Sequence, residues 1–250
     1  MHPILHNGEG SPQDTGEVRT APAHELGQEG SYGSNKWRYA CSNGAAALTR
    51  GEVIVGAELV PNHQNLLTST TSLVVGSNRV LSGTITLGAT LMTANQYAEG
   101  WLFVVDGGAE GTYYRIRNHD AGSSGGTDFT LDLYDSITIA SDANTEVSFV
   151  PNKYYGLQQS NIDNADVVVG VANVLVPVGS TTAQYFWAQV AGYCGVFVVG
   201  TPAVGAGLMV SDTTAGMLEE RAETDLDPAV AEMVTVGITG EVQVVNLKIE

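Results

Sequence analysis

The side chains able to do chemistry set the first limits on what this 250-residue chain does. Its histidines are His2, His6, His24, His63 and His119. His2 and His6 have the i, i+4 spacing of a helical metal pair, but Pro3 and nearby glycines oppose a helix, and ligand spacing means little without a scaffold. His63 follows Pro61 and Asn62 and reads as a solvated turn residue in a strand-exit loop. His119 precedes Asp120 just past a strand, where neighbouring side chains point to opposite sides and form no dyad. The serines of GSSGG (122–126) sit in a polar loop without the strand-to-helix turn that exposes a nucleophile. Asp142, Asn144 and Glu146 alternate in DANTE (142–146), as carboxylates around calcium do. That run lacks the glycine and distal glutamate of a helix-loop-helix site, so it reads as a hairpin turn bonding its own backbone. GSSGG matches the GxSxG spacing but is no nucleophile elbow there, and P-loop, HExxH and CxxC patterns are missing from the sequence. The reading is therefore a non-enzyme, with no residues assigned to catalysis, metal or cofactor.

The elements that must carry any function follow from composition. Gly, Val and Thr supply 30, 30 and 23 residues, about a third of the chain. Val and Thr favour pleated surfaces and Gly favours turns. Only 15% of residues are charged, unlike a disordered chain. With 27 acidic against 10 basic residues, the net charge is −17. Ten cations offer no basic stripe, which argues against nucleic acid and anionic membranes as partners. No apolar run reaches the length of a spanning helix, and the first residues lack the pattern of a secretory signal. Cys41 and Cys194, far apart, read as small buried hydrophobes; whether they pair stays open.

Residues 1–35 are rich in Gly and Pro with little apolar clustering beyond Ile4 and Leu5. They read as an extended N-terminal arm that orders on a neighbouring subunit. From Trp37 onward, short strand-like runs recur: 53–60, 84–92, 101–107, 112–119, 128–135, 147–152, 165–178, 184–192 and 194–201. In DFTLDLYD (128–135), Phe129, Leu131 and Leu133 face one way and Asp128, Thr130, Asp132 and Tyr134 the other. The short segment 93–100 reads as a turn, and 227–234 as a helix with Asp227 as cap and Pro228 at its first position. The acidic run 217–227 reads as an exposed loop. The expected fold is all-β, an antiparallel barrel or sandwich of jelly-roll-like character carrying the arm, with body parts 36–160 and 161–250.

Four segments occur in order: KWRYACSNGAAALTRGEVIV (36–55), TANQYAEGWLFVVDGGAEGTYYRIRNH (93–119), VSFVPNKYYG (147–156) and QYFWAQVAGYCGVFVVG (184–200). Over about residues 36–210 the chain resembles the β-rich decoration, or cement, proteins encoded near the capsid genes of tailed bacteriophages. That resemblance implies a virion protein on the outer surface of the head, bridging capsomers, with the major capsid protein as partner. It also implies a homo-oligomer, with a trimer favoured. The acidic region 211–230 has no place in that plan. Candidate contact residues are Ile4 and Leu5 at the end of the arm, and Arg19, Lys36, Trp37, Arg38 and Arg50, which gather the positive charge near the N-terminus. Trp101, Trp187, Tyr113 and Tyr114 are further aromatic candidates. The alternative is another virion β-protein (a head-fibre, tail or receptor-binding module), for which a surface aromatic platform flanked by Asp and Asn favours glycan binding. A cellular enzyme would instead show paired titratable groups in a deep pocket.

Overall fold

In a computed structural model, residues 4–5, 13–162, 167–179, 183–224 and 227–250 are described. Among them are eighteen strands and one 3₁₀ turn, Pro61–His63. In chain order the strands are β1 (Ile4–Leu5), β2 (Gln13–Asp14), β3 (Glu29–Tyr32), β4 (Asn35–Cys41), β5 (Val53–Val55), β6 (Leu66–Leu67), β7 (Arg79–Val80), β8 (Trp101–Asp106) and β9 (Tyr113–His119). They continue with β10 (Leu131–Leu133), β11 (Glu146–Val150), β12 (Gln158–Gln159), β13 (Val168–Ala172), β14 (Tyr185–Phe197), β15 (Gly207–Val210), β16 (Leu218–Glu220), β17 (Ala231–Met233) and β18 (Val242–Lys248). The protein is all-β, and its two large antiparallel sheets each curl into a half-barrel.

The chain forms two compact units, Met1–Ala57 with Lys153–Glu250, and Glu58–Asn152. The sequence placed a boundary near 160. The division falls elsewhere because β5 pairs with both β12 and β13, which ties residues 53–55 to the chain beyond 153. The unit 58–152 is thus inserted into the other.

In the inserted unit the strand order is β6-β11-β8-β9-β10-β7. Phe129, Leu131 and Leu133 point inward, as their period-2 spacing predicts, and join Leu102, Tyr97, Ile116 and Phe149 in one core. Full burial of each Leu or Phe contributes about 1.5–3 kcal/mol. The run 84–92, expected as a strand, contributes only the isolated bridges of Ile85 to Thr68 and Met92 to Gly122. Ile85, Leu87 and Met92 are buried all the same, so their hydrophobic period reports core contact without a ladder.

In the split unit the order is β12-β5-β13-β14-β18-β17-β15-β16, with β4 on β14 and β3 on β4. The two runs 184–192 and 194–201 are largely one strand, β14, thirteen residues long. Its first half pairs with β4 and its second half with β18. Gly192 makes the change of partner possible. Its φ is +85°, and a Cβ there would strike Asn35, whose side chain both accepts from the Tyr193 N–H at 3.0 Å and donates to the Tyr193 carbonyl at 3.2 Å.

Three expectations change here. Residues 227–234 are not a helix: Ala231–Met233 pairs with β18 and β15, because Ala231 and Met233 alternate into the core, where the sheet offers more burial than a two-turn helix. The acidic run 217–227 is not wholly loop, since Leu218 is buried in β16 against β15. The arm, where described, is extended and lies on the chain's own sheet. Glu29–Tyr32 pairs with Asn35–Arg38, Arg19 bridges Tyr185 through its backbone, and the Ala23 N–H donates to the Tyr39 hydroxyl at 3.0 Å. Ile4–Leu5 pairs with Gln13–Asp14. His2 and His6 lie outside the described residues, as do 225 and 226 of the acidic run.

Candidate functional site

The residues with the strongest catalytic chemistry are built into cores. In the inserted unit His63 is fully buried, not a solvated turn residue. It and His119 converge on Tyr97. The Tyr97 hydroxyl lies 2.7 Å from His63 Nδ1, and His63 Nε2 lies 3.0 Å from the Thr90 carbonyl. Since a carbonyl only accepts, Nε2 carries the proton and Nδ1 accepts from the phenol. By the same rule His119 Nδ1 donates to the Asp120 carbonyl at 2.7 Å, and its Nε2 accepts the Tyr97 N–H at 2.9 Å. Burial holds the His119 ring below its ordinary pKa, against a smaller upward pull from Asp120. The Asp120 carboxylate instead accepts from the Thr130 hydroxyl, so His119 and Asp120 form no dyad. All four nitrogens of these two rings are satisfied, and the network braces the core.

The loop 142–146 is a turn closed on itself. Asp142 Oδ1 accepts from the Asn144 N–H and the Thr145 hydroxyl, each at 2.9 Å, and Oδ2 accepts the Gly108 N–H at 2.8 Å. The Thr145 hydroxyl, then the Asn144 N–H, hold this carboxyl below the usual range. Gly107, at φ +88°, is required beside it, because a Cβ would come within 2.7 Å of Thr145 Cα. In the 122–126 loop the Ser123 hydroxyl donates to Asp128 and the Ser124 hydroxyl to the Ala89 carbonyl. Among the described residues no group of three His, Cys, Asp or Glu is placed to hold a metal.

In the split unit Cys41 and Cys194 are buried and unpaired, and burial pushes their thiols up to about 11 and about 12. The candidate contact residues differ in exposure and in partners. Trp37 is 1% exposed and packs with Tyr39 and Trp187, so it cannot serve as a surface anchor. Arg38 is held within the unit by Glu29 at 3.1 Å and Glu250 at 2.7 Å, and Lys153 reaches Glu250 at 3.2 Å. Burial raises the Glu250 carboxyl, but hydrogen bonds from Tyr154, Arg38 and Lys153 outweigh it and keep the group ionised. Arg19 pairs with Glu17 at the surface, and Lys36 and Arg50 are exposed. Ile4 and Leu5 lie in β1. β1 packs near β3, whose register sets it against Lys36, Trp37 and Arg38 of β4.

Two other surfaces emerge. In the split unit the registers Gly195↔Val244 and Phe197↔Val242 place these residues on one outward face of β14 and β18. Val242 and Val244 are half-exposed there, and a Cβ on Gly195 would press on Val242 at 2.9 Å. Tyr193, on the same face opposite Asn246, is exposed too. In the inserted unit Leu102 and Tyr114 pair inward, which turns Trp101, Phe103, Tyr113 and Arg115 outward. Tyr113 is 59% exposed, and its ring centroid lies 5.6 Å from both Trp101 and Phe103. The Arg115 guanidinium sits 4.8 Å above the exposed Tyr134 ring and 3.8 Å from Glu99. Asp132, outward on β10, pairs with Arg79 at 3.3 Å. Of the aromatic candidates, Trp187 and Tyr114 are buried, and Trp101 and Tyr113 face out. Phe103 and Arg115 were not singled out by sequence, and Tyr134 was assigned a face but no role. Their signal was available: in WLFVVD and YYRIRNH the outward positions of alternating strands carry rings and arginine where small polar groups suffice.

Comparison of the chain with protein-family models, with curated proteins and with solved structures finds no match in any of the three.

Proposed function

We propose that this protein is a structural component of a phage virion, mounted on the outside of the head, where it bridges neighbouring capsid subunits. The observation that carries the reading is the apolar outward face of β14 and β18, with Tyr193, Val242 and Val244 exposed on a rigid, continuous ladder. Such a face suits association with another protein surface: it is preordered by its ladder and pays little entropy on docking. A shell filled with nucleic acid pushes outward, and many copies of a modest contact resist it together because each tether raises the effective concentration of the next. The strong negative charge keeps such a subunit soluble and off the packaged nucleic acid. The resemblance of segments within 36–210 to cement proteins points the same way.

Immunogold imaging of purified particles with an antibody to this chain tests the reading. Label distributed over the heads supports it. Label confined to tails, or particles free of the chain, overturns it. Substitution of Val242 and Val244 by Asp is expected to release the protein from heads while leaving it folded.

A further inference from the structure

The outward face of the inserted unit has a composition that neither core packing nor solubility explains. Single exposed aromatics are ordinary, but here Trp101 and Phe103 both lie against Tyr113 outside the core, and Tyr134 lies under Arg115. Beside the rings Arg115, opposite Trp101, pairs with Glu99, and farther across the same sheet Arg79 of β7 pairs with Asp132 of β10.

We propose that this face binds a neutral oligosaccharide, with pyranose rings stacked on Tyr113 and Trp101 and hydroxyls bonded to the Arg115–Glu99 pair beside them and, for a longer chain, to Arg79–Asp132 farther across the sheet. The proposal is independent of where on a particle the protein sits.

Charge selects the occupant. The inserted unit holds three arginines against ten carboxylates, so a polyanion is repelled overall. Rings and arginine on a sheet also suit single-stranded nucleic acid, but that mode needs uncompensated cations along the phosphates. Here two of the unit's three arginines, Arg79 and Arg115, each already face a carboxylate, and the exposed Arg117 alone makes no cationic track. A cationic ligand in turn meets carboxylates whose partners are in place. A hydroxyl differs from both: it donates and accepts at once, and an Arg–carboxylate pair presents donors and acceptors side by side. A second protein surface fits less well. It would strip water from both ion pairs without replacing their hydrogen bonds, a desolvation cost that Coulombic attraction does not recover. Sugar hydroxyls replace that water while the C–H face of the ring covers the aromatics.

The test is affinity electrophoresis of the intact chain in gels containing hydroxyethyl cellulose, mixed-linkage β-glucan, galactomannan, xylan or dextran, with heparin as the polyanion. The result expected is retardation in at least one neutral polysaccharide, accompanied by a change in tryptophan fluorescence. Tyr113→Ala, at an exposed position, and Trp101→Ala are each expected to weaken binding at least tenfold, on the order of 1.4 kcal/mol. Tyr193→Ala, in the other unit, is expected to leave it unchanged. Any of four results overturns the proposal: no retardation in any neutral polysaccharide, retardation by heparin alone, binding that survives Tyr113→Ala, or self-association of the chain that Tyr113→Ala abolishes. Loss of head association on Val242 and Val244 substitution reads the shell contact separately, so either reading can fail without the other.

Discussion

The hydroxyl of Tyr97 donates to Nδ1 of His63 across 2.7 Å inside a core where both side chains are almost wholly shielded from water. Tyr97 also uses its backbone N–H to fix the neutral form of His119, so one aromatic residue holds both interior histidines in single tautomers.

This arrangement predicts acid sensitivity. His119 is held neutral by burial, with its pKa below the ordinary value near 6.5. The unfolded chain therefore binds the proton first, and stability falls as pH drops below about 6.5 until the depressed folded value is reached. The expected slope approaches about 1.4 kcal/mol per pH unit for this one proton. Urea unfolding at a series of pH values measures it. His119→Gln removes the titration and should flatten the slope, while lowering stability by about 1–3 kcal/mol through the donor lost to the Asp120 carbonyl.

Truncation separates two parts of the N-terminal segment. Removing residues 1–12 takes away β1 and leaves the paired β3 and β4 in place, so the thermal midpoint should move by less than about 2 °C. Removing residues 1–35 strips β3 from β4 and the Arg19 bridge from Tyr185, uncovering the Trp37, Tyr39 and Trp187 cluster. A loss of at least about 3 kcal/mol is expected, read by differential scanning calorimetry.

The two faces of β8 should respond oppositely to shortening. Leu102 is fully buried, and Leu102→Ala is expected to cost about 2–5 kcal/mol. Tyr113, on the paired strand and outward, should cost less than about 0.5 kcal/mol as Tyr113→Ala. Denaturant midpoints of the two variants test the inward and outward assignment.

The thiols should be silent in the native protein. With Cys41 pushed to about 11 and Cys194 to about 12, thiolate is scarce at neutral pH. Modification by a disulfide reagent should be at least about a hundredfold slower in buffer than in denaturant, and mild oxidation should create no cross-link.

The sequence made the strand pattern legible wherever alternation was clean, as in 128–135, where Phe129, Leu131 and Leu133 turn inward together. It misled where the period served burial without a ladder, as at Ile85 and Leu87 in the run 84–92 expected as a strand. The segment 227–234 misled because its Ala, Glu and Met have helical propensity, whereas β18 offers its edge to Ala231–Met233. Arg38 illustrates the limit for surfaces. A count of basic residues near the N-terminus cannot show that Glu29 and Glu250, nearby and at position 250, neutralise this one. His63 shows the converse, since a turn-like Pro-Asn-His sequence conceals a fully buried ring whose partner, Tyr97, lies 34 residues away. The outward rings at Trp101 and Tyr113 were readable as aromatics, but their contact depends on the β8–β9 register, which spacing alone does not fix.

The central claim, that many copies of this chain sit on a virion head, is tested most directly by counting them. Quantitative mass spectrometry of purified particles gives the molar ratio of this chain to the major capsid protein. The account predicts on the order of hundreds of copies per particle, as cooperative shell bridging requires. A ratio equivalent to about a dozen copies or fewer, or none, would contradict it.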